Sequence, residues 1–258
     1  MSRIFITGSS DGLGLMAGRL LVEWSHLVTL HARNTARAED TKRALPQADA
    51  VVIGDVSSVA QMRRLAEQVN ALGRHDAMIH NVGVGSRAGR IETEDGLSQV
   101  FAVNVLAPYL LTALITRPDR LVYLSSGMHS GAVARLDDAQ WEKRRWNGSQ
   151  AYAESKLLDV MLAFAVARFW PVVKSNVMSP GWVATRMGGA SAPGDVETGA
   201  ATQAWLAVSD EPEALMTGRY FYHRKEQRAN PIAERIDLQD RLLGYCAELS
   251  GVTLSGPS

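Results

Sequence analysis

The chain has 258 residues, of which 46% are apolar and 21% are charged. This composition is typical of ordinary globular proteins and excludes a disordered, collagen-like or disulfide-scaffold protein. Basic and acidic side chains number 27 each. The protein therefore has no net charge to attract nucleic acid or an acidic membrane, and any ligand must bind at a local site.

The cysteine content and the lack of long apolar runs both favour a cytoplasmic protein. Cys246 is the single cysteine, cannot form an internal disulfide, and is expected to be a packing residue. No apolar run approaches the ~18 to 20 residues of a membrane span. Residues 3–7 lead directly into a glycine turn, which does not fit the pattern of a signal peptide.

Short apolar runs alternate with helical patterns along the chain. The predicted strands cover residues 4–6, 27–30, 50–53, 77–80, 121–124, 172–178 and 219–222. The predicted helices cover residues 13–24, 35–45, 59–72, 97–116, 149–170 and 231–249. Such alternation implies parallel strands joined by helical crossovers. We predict one domain over residues 1–258, an α/β fold of Rossmann type with a doubly wound parallel sheet, helices on both faces, and ligands beyond the carboxyl ends of the strands.

A glycine-rich turn, TGSSDGLG, covers residues 7–14 after the first predicted strand. Gly8, Gly12 and Gly14 allow a tight turn and a close approach of the backbone to a pyrophosphate. The N-terminus of the next helix would then face the phosphate charge. The spacing differs from the common G-x-G-x-x-G fingerprint. Taken alone, the turn is also compatible with having no ligand.

The ends of the second and third predicted strands bear on the choice of nucleotide. Proteins that prefer NAD usually carry an acidic residue after the second strand, which binds the ribose 2′-hydroxyl. Arg33 stands there instead. A guanidinium can hold a 2′-phosphate, so the sequence favours NADP unless Arg33 is only a solvated loop charge. Asp55, after the third strand, could accept a hydrogen bond from the adenine amino group or cap the next helix.

Tyr152 and Lys156 are four residues apart and project from one face of a predicted helix. An unperturbed tyrosine is too weak an acid for efficient proton transfer near neutral pH. A neighbouring ammonium favours the phenolate form and makes a tyrosine a better proton donor. The same spacing arises by chance in exposed helical pairs, so its meaning depends on the motifs around it.

Further motifs accompany this pair in a definite order. They are the glycine turn, the stretch from Asn81 to Gly83 after the fourth strand, Asn104 on the following helix, and Ser125 and Ser126 after the fifth strand. Together they resemble the short-chain dehydrogenase/reductase family. The resemblance extends from the glycine turn through the proline and glycine at positions 180 and 181 to the last predicted strand.

The resemblance implies a role for each matching residue. Tyr152 would exchange a proton with the substrate oxygen, Lys156 would hold the nicotinamide ribose, and Ser126 would orient the carbonyl. Asn104 would support a water-linked proton path to Lys156. Besides Tyr152 and Lys156, the residues expected to border the cofactor are Gly8, Ser10, Gly12, Leu13, Gly14, Arg33, Asp55, Val56, Asn81, Gly83, Pro180, Gly181, Val183 and Thr185. No metal is required, and the six histidines show no close ligand spacing.

Three segments depart from the usual family pattern. Val82 stands where the family usually has a smaller residue. Residues 114–120 form a short connection, which bears on the homodimer or homotetramer that the resemblance implies. The stretch between Ser126 and Tyr152 is longer than usual and resembles that of retinol dehydrogenase-like reductases, which act on apolar carbonyls and alcohols and mostly use NADP.

Two features near the expected substrate site have alternative interpretations. Trp141 and Trp146 either wall a pocket or lie on an amphipathic surface helix. Residues 182–197 fall where the family carries its substrate lid, and the alternative is a plain surface loop.

We therefore expect an NADP-preferring oxidoreductase that transfers a hydride between nicotinamide C4 and an apolar carbonyl or alcohol, with NAD the less favoured cofactor. One alternative is a catalytically silent, NADP-sensing regulatory protein, for which four intact site residues would be unnecessary. Another is a nucleotide-sugar epimerase, for which 258 residues leave little room.

Overall fold

The computed structural model describes residues 1–85 and 89–256 and is built around one sheet of eight strands. The strands are β1 (Arg3–Ile6), β2 (Leu27–Ala32), β3 (Ala50–Ile53), β4 (Ala77–His80), β5 (Arg120–Leu124), β6 (Lys174–Ser179), β7 (Tyr220–Tyr222) and β8 (Lys225–Gln227). Their order across the sheet is β3-β2-β1-β4-β5-β6-β7-β8. Strands β1 to β7 are parallel, and β8 pairs antiparallel with β7. The predicted doubly wound α/β fold is confirmed.

Helices cover both faces of the sheet. They are α1 (Gly12–Glu23), α2 (Thr35–Ala44), α3 (Val59–Ala71), α4 (Gln99–Phe101), α5 (Ala107–Leu114), α6 (Gly148–Phe169), α7 (Val196–Val208) and α8 (Ile236–Ser250). A π-helical turn, Ala102–Leu106, joins α4 to α5. Short 3₁₀ turns are formed by Gly127–Gly131, Leu136–Asp138 and Pro231–Glu234.

The alternation of side chains along the strands produces two hydrophobic layers. In β1, Ile4 and Ile6 pack on one face of the sheet, with α1 and α7, whereas Phe5 packs on the other, with α3, α5 and α6. Cys246 lies in the second layer, as predicted, and burial raises the pKa of its thiol. Because both faces are covered, β1 to β5 are largely apolar runs, whereas β6 also buries Ser175, Asn176 and Ser179. No helix in the described parts of the chain is long and apolar enough to cross a membrane.

Two elements of the fold were not predicted from the sequence. Helix α7 begins after Asp195, whose side chain caps it by accepting a hydrogen bond from Thr198 N at 2.8 Å. Its many small residues give it little amphipathic contrast, and a side chain at Gly199 would clash with Val183 and Leu13. Strand β8 is exposed and has only three residues. Neither element carries the apolar periodicity on which the predictions relied.

Two predicted helices differ from the observed ones. The helix predicted over residues 97–116 is α4, the π turn and α5, and it ends at Leu114. The helix predicted over residues 231–249 is a 3₁₀ turn followed by α8, separated by Arg235. The amphipathic helix considered for Trp141 and Trp146 is wrong, because only a 3₁₀ turn at Leu136–Asp138 forms in that stretch.

Candidate active site

The glycine turn lies between β1 and α1 at the carboxyl edge of the sheet, where the strand order reverses between β1 and β4. Gly8 has a φ of +62°, and a Cβ atom there would lie 2.8 Å from the Cα of Val82. A side chain at Gly14 would collide with the Asn81 amide, which donates to the carbonyls of Thr7 and Gly8 at 2.9 Å each. Both glycines are therefore needed for the turn to close against the end of β4.

His31, at the end of β2, binds the backbone of this turn by a hydrogen bond. Its Nδ1 accepts a hydrogen bond from Gly8 N at 2.9 Å, and its Nε2 donates to the Gly54 carbonyl at 2.7 Å. The acceptor role at Nδ1 requires a neutral ring, and burial lowers the pKa of His31 accordingly. This role could not be predicted from the sequence, because it depends on contact between a strand residue and a turn more than twenty positions away.

A cleft of about 400 Å³ runs along the glycine turn and the carboxyl ends of β2, β3 and β4. Its lining includes most of the residues predicted to border the cofactor, namely Gly8, Ser10, Gly12, Leu13, Arg33, Asp55, Val56, Asn81, Gly83 and Thr185. Gly14 is buried behind the turn. The cleft thus combines backbone amides at a helix N-terminus with basic side chains, a combination that fits a dinucleotide.

Two arginines line the end of the cleft near β2. Arg33 is exposed, and among the residues that the structure describes its guanidinium has no hydrogen-bond or ion-pair partner. Arg37, on the first turn of α2, instead contacts Asp11 Oδ2 at 2.7 Å. Arg186 approaches the same carboxylate at 3.4 Å. Arg37 was not predicted as a site residue, although it lies only four residues after Arg33.

Asp55 lines the cleft after β3 and does not cap α3. Its Oδ1 accepts hydrogen bonds from Ser57 N at 2.9 Å and from Ser57 Oγ at 2.7 Å. Ser58 is the N-cap of α3. The alternative interpretation of Asp55 as the helix cap is therefore wrong, whereas its proposed contact with adenine stays a prediction.

Asn104 lies in the π-helical turn and is fully buried. Its Oδ1 accepts from Val84 N at 2.8 Å, and its Nδ2 donates to Val84 O at 3.1 Å and to Ser155 Oγ at 2.9 Å. Asn104 therefore ties the segment after β4 to helix α6. Local π-helical turns are frequent at functional sites because they redirect a side chain without ending the helix.

Helix α6 brings the predicted proton-transfer pair to the end of β5. Tyr152 is partly exposed, and the Lys156 Nζ lies 6.0 Å from the centre of its ring. Lys156 is buried, and its Nζ donates to the Leu124 carbonyl at 2.7 Å. A Cβ atom on Gly83 would lie 3.6 Å from the Lys156 Nζ and 3.5 Å from the Asn104 Oδ1. The structure therefore brings Asn104, Lys156 and Gly83 together beside Tyr152.

The two serines after β5 have different environments. Ser125 is buried, and its hydroxyl donates to the Lys156 carbonyl at 2.7 Å, which anchors α6 to the strand. Ser126 is partly exposed and accepts from Met128 N at 3.3 Å. The accessible hydroxyl at this edge is thus that of Ser126, the serine chosen in the sequence analysis.

The segment after β6 folds back over the glycine turn. Pro180 and Gly181 follow the strand, Val183 is buried, and the Thr185 methyl lies close to Gly12. Hydrogen bonds of 3.0 Å from Gly194 N to Trp182 O and from Ala184 N to Gly194 O close the base of the loop. Since α7 begins at Val196, the predicted lid ends before that residue rather than at 197.

Trp141 is buried, and its ring contacts Trp146 at 5.6 Å in an edge-to-face arrangement. The Arg144 guanidinium lies 3.8 Å from the centre of the Trp141 ring and pairs with Asp138 and Glu154. These contacts hold the long stretch after Ser126 against α6.

Across residues 1–85 and 89–256, no group of three or more metal-ligating side chains is present.

The protein-family comparison matches residues 2–195 to the family described as short chain dehydrogenase. The chain belongs to the short-chain dehydrogenase family. An uncharacterised oxidoreductase of Emericella nidulans is 43% identical over 261 residues, which cover 99% of this chain and 100% of that protein. Human retinol dehydrogenase 14 is 30% identical and covers 89% of this chain and 80% of its own. The predicted resemblance is confirmed.

Solved structures share the fold. A crystal structure of a protein from Mycobacterium paratuberculosis has a TM-score of 0.84 at 22% identity and covers 99% of this chain and 95% of its own. A blue fluorescent protein from a metagenomic library, solved with NADPH, has a TM-score of 0.69 at 22% identity and covers 85% and 95%. From the family and the relatives, this short-chain dehydrogenase is an NAD(P)-dependent oxidoreductase that acts on carbonyl or alcohol groups.

Proposed function

We propose that the protein is an NADP-dependent reductase or dehydrogenase of apolar carbonyl and alcohol compounds, with Asn104, Ser126, Tyr152 and Lys156 as its catalytic residues. The observation that carries this proposal is the arrangement of the cleft. Arg33, which has no partner among the described residues, lines one end, and Gly83, next to the buried ammonium of Lys156, lines the other. A dinucleotide bound along the glycine turn would span these two ends.

In this proposal the proton moves at the hydroxyl of Tyr152. Tyr152 gives its proton to the carbonyl oxygen of the substrate, and Ser126, exposed at the end of β5, donates a hydrogen bond to the same oxygen. NADPH supplies the hydride when it is bound. Lys156 holds a positive charge beside the Tyr152 ring and stabilises the phenolate that the proton transfer leaves behind.

Asn104 acts in this proposal by fixing the segment after β4. Its two hydrogen bonds to Val84 set the backbone around Gly83, which lies beside the Lys156 Nζ. Its third bond, to Ser155 Oγ, connects that segment to the helix that carries Tyr152. The nicotinamide end of the cleft is therefore held in one geometry, as efficient catalysis requires.

The preference for NADP rests on the Arg33 guanidinium. Because it is exposed in the cleft and unpaired among the described residues, it can form charge-assisted hydrogen bonds to a 2′-phosphate without breaking an existing ion pair. Arg37 and its partner Asp11 line the same cleft. No acidic residue follows β2 directly, where an NAD-specific protein would bind the ribose hydroxyls.

An apolar substrate is proposed from the side chains at the same edge. Met128, two residues beyond Ser126, and Trp182 and Met187, in the loop after β6, are exposed large apolar residues. Exposed apolar side chains in the segments beside a polar site favour binding of an apolar ligand. The loop over residues 182–195, closed at its base, is proposed as the lid over that substrate.

The face formed by α5 and α6 is partly covered by the chain itself. Helix α8 packs on both helices and buries Leu242 and Leu243, and the Tyr109 hydroxyl donates to the Val252 carbonyl at 2.8 Å. We therefore predict a monomer rather than the homodimer or homotetramer that the resemblance implies. Light scattering of the full chain measures this, and a stable dimer would contradict it.

The test of the proposed function is a panel of apolar ketones, aldehydes and alcohols, with NADPH absorbance as the readout. We expect turnover that requires Tyr152 and is faster with NADPH than with NADH. Tight NADPH binding without turnover of any compound would instead favour the silent regulatory protein on the same fold.

A further inference from the structure

Lys156 has a buried acidic partner on its own helix. The Lys156 Nζ and the Asp159 Oδ2 are 2.7 Å apart, and the two residues are only 4% and 2% exposed. Leu124 O accepts a second hydrogen bond from the same ammonium, at 2.7 Å. Two of the three N–H groups of the Lys156 ammonium therefore donate to Asp159 and Leu124 O. The third is left for the side of the site that Gly83 and Tyr152 border.

The desolvation of this buried ion pair would destabilise the fold, so a purely stabilising role does not explain it. Removing two charges from water costs more than their attraction returns unless every remaining polar atom is also satisfied. Asp159 Oδ1 is buried and has no hydrogen-bond partner in the described parts of the chain. An apolar pair would pack at least as well, so the incomplete satisfaction of Asp159 suggests a role in function.

Among residues 1–85 and 89–256, no cation other than Lys156 acts on the Asp159 carboxylate. On the helix itself, the titratable group beside Asp159 is Lys156, which in turn interacts with Tyr152. From β5, the Tyr123 side chain faces the carboxylate, and its hydroxyl bonds to Thr112 Oγ1 at 2.9 Å. Thr112 Oγ1 also bonds to Nε2 of the buried, neutral His80 at 2.9 Å.

The charge state of Lys156 depends on this partner. Burial lowers the pKa of Lys156, but its interactions with the Asp159 carboxylate and with Tyr152 together raise it. Burial also raises the pKa of Asp159, to about 6, although the ammonium opposes this. Without Asp159, a buried lysine would be expected to lose its proton far more readily.

We propose that Asp159 is a positioning residue for the reaction: its carboxylate holds the Lys156 ammonium charged and fixes the direction of the N–H group that faces Tyr152 and the cofactor ribose. This inference rests on the proposed function of the site. Its signal was available in the sequence, because residues three apart lie on one face of a helix. A longer-range contact could not have been found that way.

The test compares Asp159→Asn with a matched control on the same helix. Glu154 is buried like Asp159 and also pairs with a cation, but that cation is Arg144 rather than Lys156. Glu154→Gln therefore removes a buried carboxylate without touching the site. We expect Asp159→Asn to lower kcat about 10- to 100-fold, the cost of a small misplacement of catalytic groups, and Glu154→Gln to leave kcat within about 2-fold of the wild type.

A second readout does not require turnover. In the cofactor-free protein, the Lys156 ammonium is titrated by NMR of labelled lysine. The Asp159→Asn variant should deprotonate at lower pH than the wild type, whereas Glu154→Gln should not differ, and Asp159→Glu should restore the charge of Lys156. A Lys156 titration that is the same in the wild type and Asp159→Asn would overturn the inference, even if the wild type turns over no substrate.

If Asp159→Asn does not fold, the titration of the wild-type protein alone tests the inference. The Lys156 signals should then respond to the protonation of Asp159 as that carboxyl titrates, because two charges 2.7 Å apart titrate as a coupled pair. A Lys156 resonance that shows no step at the Asp159 midpoint would refute the coupling. Loss of turnover in every variant together with the wild type would count against the proposed function and not against this pair.

Discussion

The two ends of the cleft differ in the burial and pairing of their charged side chains. At the nicotinamide end, Lys156 is buried and paired with Asp159, and its position is set by two hydrogen bonds of 2.7 Å. At the β2 end, Asp11 is 49% exposed and shares its carboxylate between Arg37 and Arg186, while Arg33 is exposed and unpaired among the described residues. The charged pair is buried at one end, and the charged side chains are exposed at the other.

The difference shows what each end must do. Proton transfer needs groups held in one geometry in surroundings where electrostatic interactions are strong, which burial provides. Recognition of a phosphate needs cations that can approach an anion without first losing a buried partner, which an exposed arginine provides. Substitutions at the buried end should therefore change the rate, and substitutions at the open end should change cofactor affinity and selectivity.

The largest expected effect is that of Tyr152→Phe at the buried end. Removal of the proton-donating hydroxyl should lower kcat about 10³-fold, within the range that general acid catalysis contributes. NADPH binding, measured by fluorescence titration, should be unchanged. Tyr222→Phe is the control, because Tyr222 lies on β7 at the same edge and is exposed. Retention of kcat in Tyr152→Phe would show that another group transfers the proton.

A smaller effect is expected for Arg33→Ala at the open end. Loss of charged hydrogen bonds to a 2′-phosphate costs about 1.5 to 3 kcal/mol, so the KM for NADPH should rise about 10- to 100-fold. The KM for NADH should not change. Arg43→Ala, on the outer surface of α2, serves as the control. An equal loss with both cofactors would place Arg33 elsewhere than at the 2′-phosphate.

The burial of His80 can be measured through the pH dependence of the free energy of unfolding. Burial lowers its pKa to about 3, so the folded protein holds it neutral, whereas in the unfolded chain it accepts a proton below pH 6.5. The free energy of unfolding should therefore fall as pH falls below 6.5, by up to about 1.4 kcal/mol per unit of pH from this group. Urea unfolding of His80→Asn between pH 7 and pH 5 should lack this component. Identical slopes in the two proteins would show that His80 is accessible to water.

The smallest effect is expected for Asp11→Asn. Its ion pairs with Arg37 and Arg186 are exposed, and such pairs contribute about 0 to 1 kcal/mol. The free energy of unfolding should change by less than about 1 kcal/mol, and the KM for NADPH should fall slightly because a negative charge near the phosphates is removed. A loss of more than about 2 kcal/mol in urea unfolding would mean that this end is as rigid as the other.

The sequence was sufficient for features that depend on local order. Strands β1 to β5 were found from largely apolar runs, which burial on both faces produces. Strand β6 was found from its apolar second half, because it begins with three polar residues. The pairing of Tyr152 with Lys156 follows from helical periodicity alone. Gly73, the glycine directly after the helix predicted over residues 59–72, has a φ of +93° and follows the C-cap residue of α3. Its N–H bonds to the Asn70 carbonyl at 3.0 Å.

Features that depend on contacts between distant segments could not be found in this way. The support of the glycine turn by His31 joins β2 to the end of β1 and to Gly54 after β3. The hydrogen bond from Asn104 to Ser155 crosses 51 positions of the chain. Helix α7 has apolar and small residues on all sides, because it packs between α1 and the sheet, and this hides its helical period.

The central claim is that a hydride passes between NADPH and a carbonyl carbon at the site bordered by Tyr152 and Lys156. Its most direct test uses NADPH labelled with deuterium at nicotinamide C4, an apolar ketone or aldehyde, and mass spectrometry of the alcohol formed. We predict one deuterium on the carbinol carbon with the wild-type protein and almost none with Tyr152→Phe. Alcohol without deuterium from either C4-labelled form of NADPH, or equal labelling by the two proteins, would contradict the claim.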